Sequence, residues 1–329
     1  ISDRIGRKPA LIGATALFIM AAVTGTFATN IHIFNLSRFF QGLGASAGYF
    51  LAKTIPADVY AGRPLAKLMA LVGAINGLAP AIAPVAGGII ADDWGWKAIF
   101  WVLAGFALIV ILMSLFMKES LAPANRSQGS IWRSFGGYSQ LLRNRSFMIH
   151  CLLKAFALGT LFAFISSAPF IVQTHYGLSK TAYGYCIGVI SLFMGAGSMM
   201  SLRFRPYKRS AFIGALIIAA GVVAQAVSLL MVENLWFYLA CMALQMFGAG
   251  MIFATANTLA MNEGRAHAGE AAAVIGVTGY IVGGTVSPLV GMANFMHSTA
   301  IVSIVLTVFV LLFAWLSRRL PADLTSSNQ

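Results

Sequence analysis

Ten long apolar runs follow one another along this chain, separated by short polar breaks, at about 9–28, 32–53, 67–91, 97–117, 147–173, 181–203, 209–231, 235–261, 267–292 and 297–316. At a rise of about 1.5 Å per residue, a helix over each run is long enough to cross roughly 30 Å of hydrocarbon. Lipid leaves unpaired backbone groups unsatisfied, so segments of this length must be helices, which close their hydrogen bonds internally. They are too long and too continuously apolar to be the alternating ten-residue strands of an outer-membrane barrel. The composition agrees: 59% of the 329 residues are hydrophobic and 9% are charged, against about 25% charged in soluble domains. The expected fold class is an all-α membrane protein.

The basic residues orient the helices. Eighteen of the 22 Lys and Arg fall in breaks on one side: Arg4, Arg7 and Lys8, then Lys53, Arg63 and Lys67, and so on to Arg318 and Arg319. The other side holds Lys97 and Lys180, while Arg38 and Lys154 fall within runs. The positive-inside rule makes the richer side cytoplasmic, and the +13 net charge then requires no nucleic acid as a partner. The longest break, 118–146, is basic and rich in Ser and Gly. It reads as an interdomain linker in which "WRSFGGYSQLL" forms a short amphipathic helix on the membrane surface.

Internal repeats set the organisation. "RKPALIGA" at 7–14 matches "KRSAFIGA" at 208–215 at an offset of 201; "QGLGA" at 41–45 matches "QMFGA" at 245–249, and "APVAGG" at 83–88 matches "SPLVGM" at 287–292, both at 204. Three matches in order near one offset mark a duplication. The expected domains are an N-terminal half at 1–117, the linker at 118–146, a six-helix half at 147–317 and a cytoplasmic tail at 318–329. By the same offset, the first-half partners of the runs at 147–173 and 181–203 would lie before Ile1. The sequence therefore predicts ten of twelve helices, N-terminally truncated.

These features carry a family resemblance. Two parallel six-helix halves joined by a cytoplasmic loop resemble the major facilitator superfamily, whose halves rock around a midplane site. "DRIGRKP" at 3–9 is similar to its signature between helices two and three, "LSRFFQGLGA" at 36–45 to its fourth-helix signature, and "GAINGLAPAIAPVAGG" at 73–88 to its fifth-helix antiporter signature. Within the superfamily, "APVAGG" with "WGWKAIFW" at 94–101 and "SSAPFIV" at 166–172 resemble the bicyclomycin-resistance (Bcr/CflA) branch of drug:proton antiporters. The resemblance implies proton-coupled multidrug efflux, with antibiotic resistance as its consequence. It also implies a multi-pass protein of the bacterial inner membrane with a cytoplasmic C-terminus.

Candidate functional residues follow, each beside a plainer reading. Asp3, Arg4, Gly6, Arg7 and Lys8 place one carboxylate and three cations in a tight turn, where Gly6 permits backbone geometry that other residues resist. Such a cluster can latch onto charges of the other half and release them as a gate, or it is only a topology signal. Arg38 lies about six residues into its run, roughly 9 Å deep. It either snorkels to the interface or shares a cavity face with Gln41, Ala45 and Ala52; the resemblance implies a role in proton coupling. Gly73, Gly77, Pro80, Pro84, Gly87 and Gly88 suit a bent, close-packed helix, with Gly279, Gly283, Pro288 and Gly291 in the mirrored part. Gln41, Tyr49, Asn76, Phe162, Phe164, Gln245 and Asn257 are candidate walls of a substrate cavity, or else core and lipid-facing residues. Aromatic walls suit amphipathic compounds, including weak bases through cation–π contact.

Other chemistry is poorly represented. None of the nine acidic residues falls mid-run, so the intramembrane carboxylate common in proton-coupled exporters is not among them. Cys151, Cys186 and Cys241 form no C-x-x-C pair, the five His show no metal-ligand spacing, and no phosphate-binding loop occurs. Lys154 and His150, one turn apart, either bind an anion or leave the lysine to snorkel. No cofactor, metal site or enzymatic activity is expected. The expected partners are a small-molecule substrate, protons and membrane lipid, and the expected state is a monomer. The competing readings are a non-transporting truncated fragment and an exporter of a small metabolite.

Overall fold

The computed structural model describes residues 2–60, 62–121, 135–204 and 206–320. Its helices are α1 (Ser2–Ile5), α2 (Arg7–Thr26), α3 (Ile31–Val59), α4 (Gly62–Asp93), α5 (Trp96–Phe116), α6 (Phe135–Arg143), α7 (Arg145–Pro169), α8 (Lys180–Ser201), α9 (Tyr207–Val227), α10 (Leu235–Glu263), α11 (Ala268–Val290) and α12 (Phe295–Arg319). α7 and α9 each end in a wider π turn, at Phe170–His175 and Ser228–Val232. No strand occurs among the described residues. Every predicted apolar run is a long helix. Counted over the described residues, eight are long and apolar enough to cross a membrane, α3 and α4 being the two that fall outside that count.

Helix starts are written locally. Asn30, Asn144, Ser179, Asn234 and Asn294 each precede a helix and accept a hydrogen bond from a first-turn amide, which would otherwise lack an intrahelical partner.

The chain divides into two compact units, Ile1–Ser130 and Ile131–Gln329. In the first, α2 packs against both α3 and α5, and Ala22, Phe100 and Ala104 form a small buried cluster. In the second, α10 packs against α7, α8 and α9, and α7 packs against α11 and α12. Leu153 and Ala157 of α7 are fully buried against Ala211, Ile218, Ala256 and Val310. A Cβ at Gly197 of α8 or Gly250 of α10 would collide with the backbone carbonyl oxygen of Phe247 or Met194, so these two helices cross with no side chain between them.

The repeated segments fall on helices that correspond in length, cap and contact. α3 and α10 are both 29 residues long and begin 204 residues apart. Their caps correspond as well, Asn30 accepting from the Ile33 amide and Asn234 from the Phe237 amide. A Cβ on Gly44 would come within 2.6 Å of the Ala14 carbonyl oxygen on α2, and one on Gly248 within 2.7 Å of the Gly214 carbonyl oxygen on α9. The segments 7–14 and 208–215 open α2 and α9 respectively, each just after a short break.

Within the segment read as the linker, 135–143 forms the short helix α6, which packs on α7 and α11. Leu141 is buried with Phe147, Ala260 and Ala271, and Tyr138 packs on that cluster. Leu142, the next residue of α6, is exposed. Residues 122–134 and 321–329 of the predicted linker and tail lie outside the described residues.

Candidate functional site

The sequence "DRIGRKP" forms a charge cluster at the start of α2. Gly6 joins α1 to α2 with φ of 105°, a conformation that residues carrying a Cβ rarely adopt. That turn buries Arg7, whose side chain is 6% exposed. Its Nε donates to Asp58 Oδ2 at 2.8 Å, and its Nη1 donates to Asp3 Oδ1 at 2.5 Å and to Ser2 Oγ at 2.7 Å. The planar guanidinium thereby ties α1 and the end of α3 to α2. Glu119, just after α5, accepts from the Arg7 amide at 2.8 Å and the Lys8 amide at 3.3 Å. This places a carboxylate at a helix N-terminus, where the unpaired amides and the dipole favour it. Lys8 Nζ donates to the Leu115 carbonyl oxygen at 2.7 Å, near the C-terminal end of α5.

Asp3, Gly6, Arg7 and Lys8 therefore share one cluster, and Arg4 follows Asp3 on the exposed side of α1. Sequence reasoning missed Asp58 and Glu119. Both are acids beside basic breaks, which was the available signal, but they stand 51 and 112 residues from Arg7.

Arg38 lies seven residues after the first residue of α3, about 10 Å along the axis. Its Nη1 donates to Gln41 Oε1 at 2.5 Å, and its guanidinium carbon stands 5.3 Å from the centre of the Phe100 ring on α5. Phe100 meets Phe34 and Trp96 edge-on, with centroids 5.8–5.9 Å apart. The cation therefore sits over an aromatic cluster, a contact that strengthens as water is removed. Gln41 is 3% exposed. Ala45 and Ala52, on the predicted Arg38 face, line an apolar groove of about 450 Å³ bounded by α2, α3 and α5. Tyr49 is exposed and its hydroxyl accepts from Lys53 Nζ at 2.7 Å.

On α4, Pro80 and Pro84 both lie inside the helix and Gly88 is buried. Gly87 has no heavy atom within 4 Å of a Cβ position, so nothing packs closely there. The side chains of Gly73, Asn76 and Gly77 lie outside the described residues. In the second unit the mirrored glycines are close contacts: a Cβ at Gly279 would lie 2.9 Å from Leu158, and one at Gly283 2.6 Å from the Phe162 ring. Two side chains of α7 thus fit the small-residue step of α11.

The remaining wall candidates divide. Asn257, half-buried on α10, accepts from Lys154 Nζ on α7 at 2.7 Å. Phe162 meets the exposed Tyr280 ring edge-on with centroids 6.3 Å apart. Phe164, 3% exposed, belongs to the core with Tyr238 and Met242. Gln245, 2% exposed, donates to the Gly221 carbonyl oxygen and to Gln225 Oε1, at 3.2 and 2.9 Å. The structure thus places Phe164 and Gln245 in helix packing within the unit, because the ring finds apolar neighbours and the amide finds polar partners there. Among the described residues, no three His, Cys, Asp or Glu side chains group as metal ligands, and Cys151, Cys186 and Cys241 are all free thiols.

Comparisons with known proteins agree with this architecture. A family model described as Major Facilitator Superfamily matches residues 1–288. The uncharacterized MFS-type transporter YdgK of Bacillus subtilis is 34% identical over 300 residues, which cover 89% of this chain and 74% of that protein. Multidrug resistance protein MdtL of Escherichia coli is 30% identical over 204 residues, 62% of this chain and half the length of MdtL. A bacterial homolog of the human lysosomal transporter Spinster, solved inward-facing and unoccupied, superposes with a TM-score of 0.73 at 14% identity. That match covers 97% of this chain and 84% of the solved one, and it shows a shared fold.

Proposed function

The chain belongs to the Major Facilitator Superfamily, a family of membrane transporters, and from that premise we propose that it exports drugs or other small amphipathic molecules across the bacterial inner membrane in exchange for protons. The likeness to multidrug resistance protein MdtL and the Bcr/CflA-like segments support this finer reading. In it the protein works by alternating access as a monomer, with its C-terminus in the cytoplasm and lipid around its helices.

The observation that carries the proposal is Arg38. A permanent cation inside a membrane helix is costly and is kept where it does work. Here it is held by the Gln41 amide and the Phe100 ring, in contact with a groove-lining helix. Arg38 then couples proton movement to cargo exchange. The Asp3, Arg4, Gly6, Arg7 and Lys8 turn acts as the latch, with Asp58 and Glu119 as its counter-charges. The helix bearing Gly73, Gly77, Pro80, Pro84, Gly87 and Gly88 seals against leak. Gln41, Tyr49, Asn76, Phe162 and Asn257 contribute to the cargo surface.

The test is drug uptake into inverted membrane vesicles energised by an acid interior. Protonophore-sensitive accumulation of ethidium is expected, and Arg38→Ala is expected to abolish it at an unchanged yield of folded protein. Full uptake by the variant would remove Arg38 from the mechanism.

A further inference from the structure

Charge of one sign marks four helices of the second unit. No Asp or Glu occurs between Glu119 and Glu233 or between Glu270 and Asp323, so α7, α8, α9 and α12 contain basic residues and no acid. Among the long helices, α12 alone carries basic residues in its last turn, Arg318 and Arg319. The helix dipole favours cations there, and a topology signal is met by any basic break. Neither accounts for how these two side chains are held.

Both guanidinium groups lie over aromatic rings. The guanidinium carbon of Arg318 is 4.7 Å from the centre of the Phe212 ring on α9, and that of Arg319 is 3.7 Å from the centre of the Trp315 ring, one turn earlier on α12. Phe212 is half-buried against the core that α9 shares with α7, α10 and α12. The Arg318 contact therefore joins the end of α12 to the start of α9, two helices that pack side by side. Three residues before Phe212, on the same face of α9, is Arg209. It is exposed, as are Arg318 and Arg319. Stacking uses the face of a planar guanidinium, whereas its N–H fork is the part that matches phosphate oxygens.

Beyond the cations the surface turns apolar. Along the face of α12 that bears Arg319 come Trp315, 42% exposed, and then Leu312, 43% exposed. On α9, Leu216 follows Phe212 by one turn and is 48% exposed. Cations at the rim, an indole next and aliphatic surface after it repeat the order of a phospholipid, which runs from phosphate through glycerol ester to acyl chain. The indole N–H is a donor only, and an ester carbonyl accepts. A soluble anion would use the rim alone.

We propose that the start of α9 and the end of α12 form a binding site for an anionic phospholipid, with Arg209, Arg318 and Arg319 on its phosphates and Trp315, Leu312 and Leu216 against its upper acyl chains. Three arginines on two helices without an acid match two phosphates better than one, so the lipid class is diphosphatidylglycerol. The assignment needs a chain that spans a membrane, and it is independent of what the chain carries.

The test is native mass spectrometry of the full chain in detergent, titrated with diphosphatidylglycerol or with phosphatidylethanolamine. The first lipid is expected to bind about tenfold more tightly than the second. Arg318→Gln/Arg319→Gln should weaken diphosphatidylglycerol about tenfold or more. Arg63→Gln/Arg265→Gln, which removes two exposed cations elsewhere, should stay within about twofold. Trp315→Leu keeps every charge and should cost about threefold. Arg209→Gln, on the other helix, should cost about fivefold and decides the matter where the Arg318/Arg319 variant fails to fold. Affinity indifferent to the Arg318/Arg319 and Arg209 variants overturns the proposal. So does an equal loss in the Arg63/Arg265 variant, the mark of unspecific surface charge, or equal affinity for the two lipids. Displacement of the lipid by excess inorganic phosphate would show a free-anion site and overturns the lipid assignment as well.

Discussion

α3 and α10 are copies of one helix in different surroundings. Both span 29 residues, both start from a capping asparagine, and both bring a glycine against the backbone of the preceding long helix. Yet α3 buries four residues and α10 buries fifteen. In the second unit α10 packs against α7, α8 and α9, and the described residues of the first unit hold no counterpart of α7 or α8. The paired glutamines show the same contrast: Gln245 Nε2 donates to both Gln225 Oε1 and the Gly221 carbonyl oxygen, whereas Gln41 Oε1 accepts from Arg38. Helix length, register and caps are local properties of the sequence. Burial, and with it what a polar side chain does, belongs to the neighbours.

The comparison is most sharply tested where α10 is packed most tightly. Gly250 of α10 lies against the Met194 backbone of α8. Gly250→Leu is expected to abolish monodisperse folded protein in size-exclusion chromatography, because any side chain there meets the Met194 carbonyl oxygen. Folded Gly250→Leu protein would mean that the α8–α10 crossing is not as close as described.

The basic turn opening α2 gives a smaller effect. Arg7 faces Asp3 and Asp58. Arg7→Met leaves carboxylates without their cation and is expected to lower stability by about 3 kcal/mol. Thermal unfolding in one detergent measures it, and an unchanged midpoint would contradict the charge assignment.

Smallest is the effect that should not differ. Asn30→Ala and Asn234→Ala each remove a cap worth about 1 kcal/mol, and equal shifts in that assay are expected. A shift at Asn234 alone would show that α3 does not begin where its copy does.

Much of the fold was legible because membrane helices are marked by continuous apolarity and the duplication by short repeated strings. Helix ends were less so. The run predicted at 32–53 continues as helix to Val59, and that at 67–91 extends over Gly62–Asp93, because Lys53, Thr54 and Asp58 end the hydrophobic signal without ending the backbone hydrogen bonding. The turn around Gly6 was readable from residue types alone, but its partners Asp58 and Glu119 were not, since contacts across 51 and 112 residues leave no periodicity behind. Gln245 shows the same limit: a polar residue in an apolar helix announces that it needs a partner, and only the packing tells whether that partner is water, cargo or Gln225.

The crossing of α8 and α10 constrains how this molecule can change shape. Where Gly197 and Gly250 bring backbone onto backbone and Gly214 and Gly248 do the same for α9 and α10, no ridge is free to ratchet past a groove. These three helices must swing as one welded lever.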